Sequence, residues 1–270
     1  MTATITISTD FGLTDGYVAA MKGTILTINP AVQIVDITNR ISPQNIKEAA
    51  FILSTVYRYF PAGTIHIVFV DPGVGTRRKA IVIRTPIADF VAPDNGVLSY
   101  VLRDLSHNTN RVIPETLEAV TITNTKYWRN PVSHTFHGRD IFAPVAAHLS
   151  LGLPLTEFGQ PITSINTFPI PEPRKSPDGS LSGEIIHIDS FGNMITDIAE
   201  QDLPGGTLIF EIIGKTIHGL SHTYGEGKEL LAIIGSSGYL EIALNEGNAS
   251  VFLQAQIGTG IKVQVTSSNE

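Results

Sequence analysis

The chain has 270 residues, 42% of them apolar and 16% charged, with a formal net charge of −7 and no cysteine. That length supports one large domain or two smaller ones, and the composition lies far from the disordered class. The acidic balance argues against a nucleic-acid partner, because the longest basic run is Arg77, Arg78, Lys79, and the missing cysteines exclude disulfides, thiolate metal sites and cysteine nucleophiles.

The start, "MTATITISTDFG", alternates Thr with Ile and reads as a strand rather than a signal peptide. No apolar run approaches a membrane span, so a soluble cytoplasmic protein is the expectation. So few charges on an ordered chain also point to surface covered in an oligomer. After the first strand, "DGYVAAMKGTILTINP" has helical spacing, with Val18, Met21, Ile25 and Ile28 on one side and Pro30 as the stop. "VQIVDIT" is a second strand. "SPQNIKEAAFILSTVYRYFP" predicts a helix capped by Ser42, with Pro43 at its first position and Pro61 ending it. "TIHIVFVD" is a third strand, apolar on both faces as in a sheet covered on both sides. "AIVIRT" and "DFVAPDNGVL" continue the sheet, "GVLSYVLRDL" opens a helix, and "GRDIFAPVAAHLSLG" is another, ended by Gly152.

This alternation predicts a layered α/β domain with a mostly parallel sheet over residues 1–168. Residues 169–180, "PIPEPRKSPDGS", lose the apolar period and read as a linker. Beyond it, 181–270 turns β-rich. "LSGEIIHID", "NMITDI", "TLIFEII", "KTIHGL", "LLAIIG", "YLEIAL", "VFLQAQ" and "IKVQVT" are expected as short strands of a smaller all-β barrel or sandwich.

The candidate chemistry sits at strand ends. "STDFGLTDG" places Asp10 at the carboxyl end of the first strand and Asp15 in the next loop, where open α/β sheets bind ligands. Paired acceptors there can hold a ribose diol, a cation or a metal; an N-cap and a turn aspartate read the same way. "VDPGVGTRRKA" repeats the arrangement at the third strand. It is neither a phosphate loop nor a dinucleotide fingerprint. Asp71 ends an apolar strand, and an Arg seven residues on can pair with it across a tight turn. Arg77 and Lys79 read as a solvated basic edge. Asp94, before Asn95-Gly96, reads as turn chemistry. "HTFHGRDIF" holds His134, His137, Arg139 and Asp140 ahead of a helix, as a metal site or as exposed polar groups of a helix start. "HIDSFGNMITDI" gathers Asp189, Phe191 and Asn193, and "GSSGYLEIALNEGNAS" offers small residues where main-chain groups could read a flat ring. Both also serve as turns.

Together "STDFGLTDGYVAAMKG", "VDPGVG" with Arg78, "TFHGRDIFAP", "DSFGN" and "SSGYLEIALNEGNA" resemble the S-adenosyl-L-methionine (SAM) hydroxide adenosyltransferases, relatives of the fluorinase and chlorinase. The segments run in family order over nearly the whole chain. The resemblance implies an N-terminal α/β domain joined to a C-terminal β-barrel, assembled as a homotrimer with each site between neighbouring subunits. It implies hydrolysis of SAM to adenosine and L-methionine, with SAM as substrate and no cofactor or metal. The family's catalytic set carries onto Asp71, Arg78 and His137. In the halogenating relatives the first of these is a Tyr, so Asp71 points to the water-using branch.

Under that resemblance Asp10 accepts the ribose hydroxyls and Asp15 and Asp189 hold the methionine end. Phe191 and Asn193 flank the adenine, Ser236 and Tyr239 complete the pocket, and Tyr224 stacks on the base. Ser237 stands where the fluorinase has an Arg. Arg78 is expected to favour hydroxide, Asp71 to orient Arg78 and the water, and His137 to take the proton. The alternatives are a halide-using synthase, a metal-dependent nucleoside hydrolase, against which Asp15-Gly16 counts, and a non-catalytic SAM-binding protein.

Overall fold

The computed structural model describes residues 2–106, 117–226 and 229–266. Its contacts divide the chain into two compact units, Met1–Ile170 and Pro171–Glu270. The stretch read as a linker straddles that division.

In the first unit the elements run β1 (Thr4–Thr9), α1 (Tyr17–Ile28), β2 (Gln33–Thr38), α2 (Ile46–Val56), β3 (Thr64–Phe69), β4 (Ala80–Arg84), β5 (Ala88–Pro93), α3 (Ser99–Ser106), β6 (Glu118–Thr121) and α4 (Ala143–Ser150). The six strands form one sheet in the order β2-β1-β3-β5-β4-β6. β1 lies parallel to β2 and β3, and β3 parallel to β5, whereas β4 is antiparallel to both β5 and β6. The two-residue period of a strand splits the core. Ile65, Ile67 and Phe69 face a cluster with Met21 and Ile25 of α1 and Val145 and Ala146 of α4. Val68 and Val70 face the other, with Ala49 and Leu53 of α2 and Val101 of α3. Every residue of β3 is buried, as in a strand covered on both faces, His66 included.

Two local differences from the sequence reading have clear causes. The second helix begins at Ile46, not beside Ser42. Gln44 has φ 64° and gives its N–H to Asp10 Oδ2 at 2.7 Å, which keeps it out of the helix. Asn45 is the cap instead, accepting from Glu48 N at 3.1 Å, while Glu48 reaches back to Ser42 N at 3.1 Å. The short strand β6 carries no repeat long enough to announce itself in the sequence.

The second unit contains β7 (Arg174–Lys175), β8 (Leu181–Ile188), β9 (Met194–Ala199), β10 (Leu208–Ile212), β11 (Lys215–His218), β12 (Leu230–Ile234), β13 (Tyr239–Leu244), α5 (Ala249–Leu253) and β14 (Gly260–Val265). Its sheet runs β11-β10-β14-β8-β9-β13-β12, antiparallel throughout, with β7 added beside β8. Ser221, just past β11, bridges Ile233 of β12, so the path nearly closes into a barrel around Leu181, Ile185, Phe210, Ile242 and Val263. "VFLQAQ" is not a strand. Asn248 caps α5 by accepting from Val251 N at 2.8 Å, and Gln254 ends it with φ 52°. Val251 and Phe252 stay on its exposed face while Ala249 and Leu253 face the core, the division a helix makes rather than a strand. Among the described residues no helix is long and apolar enough to cross a membrane.

Candidate active site

Because β1, β3 and β5 are parallel neighbours, the residues that follow them emerge along one edge of the sheet. Asp10, Asp71 and Asp94 all do so. Their fates differ. Asp94 is buried and structural: its carboxylate accepts from Asn166 N at 2.6 Å and its carbonyl from Asn166 Nδ2 at 3.0 Å. Asp10 is half-buried, with one oxygen held by Gln44 N. Asp15 is exposed in the turn before α1.

Asp71 has a side chain with no solvent exposure. The 71–78 turn folds back on itself through Val74 N to Asp71 O and Thr76 N to Gly73 O, which returns Arg78 to the carboxylate. Arg78 Nε donates to Asp71 Oδ1 at 2.9 Å and Oδ2 at 2.8 Å, and its terminal nitrogen also bonds Oδ2. The same terminal nitrogen lies 3.2 Å from His137 Nδ1. The guanidinium carbon stands 5.2 Å from the centre of the Phe142 ring. Gly73 lets the turn pack closely here: a Cβ on it would stand 3.2 Å from the Arg78 side chain, a tight contact. Arg77 and Lys79 point to solvent, as a polar edge does.

A guanidinium has donors and no acceptor, so His137 Nδ1 is the acceptor in this contact. The neutral ring therefore carries its hydrogen on Nε2. Burial lowers the His137 pKa, and the Arg78 charge lowers it further against the opposing pull of Asp71 and Asp140. His137 is delivered by a single π-helical turn, Gly138–Phe142, which runs directly into α4. Gly138 allows this turn to lie against Met21 and Phe69, each of which a Cβ would meet at 3.2–3.3 Å.

Asp140 in the same turn, read from sequence as part of a metal site or as an exposed polar group, is not exposed. It is fully buried, accepting from Arg139 Nε at 2.7 Å, Arg139 Nη2 at 2.8 Å and Ser133 N at 2.8 Å. Burial opposes its charge, but these partners and Arg129 overcome that and hold its carboxyl below the usual range. His134, four residues from this turn's start, is exposed. Among the described residues no group of three His, Cys, Asp or Glu side chains is arranged to hold a metal ion.

The second unit carries a different constellation. Asp189 Oδ1 accepts from Phe191 N and Asn193 N, both at 2.9 Å, and Oδ2 accepts from Asn193 Nδ2 at 3.0 Å. That carboxylate ties the turn shut and leaves the Phe191 ring 75% exposed. Tyr224, 45% exposed, donates to Glu241 Oε2 at 3.1 Å. Glu241 is buried, and its other oxygen lies where a Cβ on Gly235 would stand, so position 235 has room only for glycine. Burial and the charge of Asp189 raise the pKa of Glu241; burial, Glu241 and Asp189 push Tyr224 up to about 12. Ser236 is exposed, Tyr239 half-buried at the start of β13, and the Ser237 hydroxyl is shut from solvent without a hydrogen-bond partner among the described residues. Glu241 was not singled out from sequence; a charged residue inside the apolar strand "YLEIAL" was the signal.

Comparison with known proteins agrees with this division. Residues 5–159 match the N-terminal domain model of the SAM hydroxide adenosyltransferases, and residues 183–262 match the C-terminal domain model. A Salinispora tropica protein named (R)-S-adenosyl-L-methionine hydrolase is 34% identical over 268 residues, covering 96% of this chain and 97% of that one. A protein of the same name from Methanocaldococcus jannaschii is 35% identical over 266 residues, covering 92% and 91%. The crystal structure of an uncharacterised conserved protein from Thermotoga maritima aligns with a TM-score of 0.84 at 35% identity, over 97% of this chain and 99% of that one. Two domain models matched in order and relatives of this identity over nearly the full length leave one conclusion: the chain belongs to the SAM hydroxide adenosyltransferase family.

Proposed function

We propose that this protein hydrolyses S-adenosyl-L-methionine to adenosine and L-methionine. The observation that carries the reading is the Asp71–Arg78–His137 cluster, a buried carboxylate and guanidinium holding an imidazole at one strand end. In the reaction the water oxygen bonds to C5′ of the ribose while the C5′–sulfur bond breaks. The sulfur keeps the bonding pair and leaves as a neutral thioether, so the leaving group needs no proton. The demand falls on the nucleophile, which must be held in line and made more like hydroxide. A fixed cation beside the water favours its deprotonated form, and Asp71 keeps that cation in place without leaving it unpaired.

His137 enters through Nε2–H while Nδ1 accepts from Arg78. Taking the water's proton at Nδ1 requires the Arg78 contact to open, which couples deprotonation of water to a shift of the guanidinium. Asp10 and Asp15 from the first unit, and Asp189, Phe191, Asn193, Tyr224, Ser236 and Tyr239 from the second, are assigned to substrate binding. The two exposed rings suit a purine. We assign the working form to a homotrimer in the cytoplasm, each site completed by a neighbouring subunit, and the reaction to a route without metal or cofactor.

Purified protein incubated with SAM in chelator, with and without chloride, tests the reading by chromatography. Adenosine and methionine in equal amounts are expected in both. A 5′-chloro product that depends on chloride moves the chain to the halogenating branch. Loss of turnover in chelator replaces the metal-free route, and sedimentation analysis checks the trimer.

A further inference from the structure

We propose that Asp140 is a positioning residue that sets the register of both His137 and the Arg78 turn. The inference rests on reading Arg78 and His137 as the water-handling pair. Asp140 is fully buried, yet it touches neither of them. Its bonds lead to both. On one side its N–H donates to Phe136 O at 3.2 Å, and its carboxylate clamps Arg139, whose guanidinium carbon lies 5.0 Å from the centre of the Phe136 ring. Phe136 is the residue before His137.

On the other side the carboxylate takes Ser133 N, and its main-chain carbonyl takes Arg129 N at 2.8 Å. Those bonds pin the 129–135 segment. The next residue of that segment, His134, presents its carbonyl oxygen to Gly75, where a Cβ would approach it to 2.8 Å. Gly75 has φ 75° and belongs to the turn that returns Arg78 to Asp71. A buried carboxylate with several partners has few ways to move, so both segments are referred to one point.

The charged and titratable groups acting on His137 are Arg78, Asp71, Asp140 and His134. Asp140 contributes negative charge, so its effect is readable in the ring as well as in turnover. The test is Asp140→Asn, which keeps the shape and removes the charge. Expected are a turnover lower by roughly ten- to a hundredfold with KM within about twofold. The His137 titration midpoint, followed by NMR of the ring carbons, is expected to move to lower pH. Wild-type turnover, or an unmoved midpoint with only a lower melting temperature, overturns the proposal and leaves Asp140 a merely structural group.

Arg139→Gln is the second arm, since its side chain is 29% exposed and its loss leaves the Ser133 bond in place. A drop of roughly threefold to tenfold in kcat at unchanged KM is expected; unchanged kcat in the folded variant counts against the proposal. If the wild type releases no adenosine from SAM, the hydrolase reading fails. The NMR midpoint then decides the Asp140 inference by itself.

Discussion

Two clusters, one in each unit, satisfy their carboxylates in opposite ways. In the first, Asp71 and Asp140 are closed by arginines, and the Asp71–Arg78 pair has only 0% and 11% of its side chains open to solvent. In the second, Asp189 is satisfied by amides and Glu241 by a tyrosine hydroxyl, and among the described residues neither carboxylate has a cation within salt-bridge distance. Under the proposed reaction the first arrangement keeps a paired cation fixed by Asp71 beside the water, and only its contact with His137 has to open. The second keeps excess negative character beside two exposed rings, which suits a flat, positively charged ligand more than chemistry. Substitutions in the Asp71–Arg78–His137 cluster should therefore strike turnover, and those around Asp189 and Glu241 should strike binding.

The largest effect that could break this contrast comes from Asp71→Ala and His137→Ala. Each is expected to lose turnover by roughly 10²–10³, the scale seen when a preorganised charge-stabilising group is removed. SAM binding by calorimetry should persist in both, and equal loss of affinity in the two variants would contradict the division of roles. Next comes acid stability, carried in the first unit by His66. It is fully buried between Thr6, 2.7 Å from its Nδ1, and the stacked ring of Phe90, and its pKa is lowered to about 4 by burial. The unfolded chain binds this proton at a higher pH than the folded one. Stability is therefore full above about pH 6.5 and falls between there and pH 4, by about 3 kcal/mol for this residue alone. Urea unfolding of the wild type and His66→Gln at pH 7 and 4.5 checks it: the variant should lose less on acidification.

Smaller effects sharpen the other side. Phe191→Ala should weaken adenosine binding by about 1 kcal/mol. The melting temperature should scarcely change, because the ring is 75% exposed. Tyr224→Phe keeps a ring but drops its bond to Glu241. A change of about 0.5–1 kcal/mol in adenosine binding with kcat intact is expected, and a collapse of kcat instead would place the second unit in the chemistry.

Much of this architecture was legible in periodicity. The apolar run at Ile65–Val70, the helical spacing of Val18, Met21 and Ile25, and the short strands after residue 180 each imply their own burial. Asp10, Asp71 and Asp94 were legible as strand-end acids, but not their different fates. Asp71 could be matched locally to Arg78 seven residues on, but nothing local announces that Asp94 is taken by Asn166 from far along the chain. The Ser42 cap failed because Asp10 captures Gln44 N, a bond between residues 34 apart. "VFLQAQ" failed because an Asn cap starts a helical turn there, which sends Val251 and Phe252 to solvent and only Leu253 of the three to the core.

The sequence by itself determined the two-part α/β and β organisation, and it placed acids where parallel strands end. These follow from nearest-neighbour spacing, which a chain carries wherever it folds. Only the tertiary structure decided that His137, 59 residues on from Arg78, joins the Asp71–Arg78 pair, that Asp140 is buried rather than exposed, and that Glu241 is buried beneath Tyr224. Burial and the choice of a distant partner are set by packing. Whether a carboxylate is a turn residue, an anchor or part of a site depends on which distant donor reaches it once the sheet has formed.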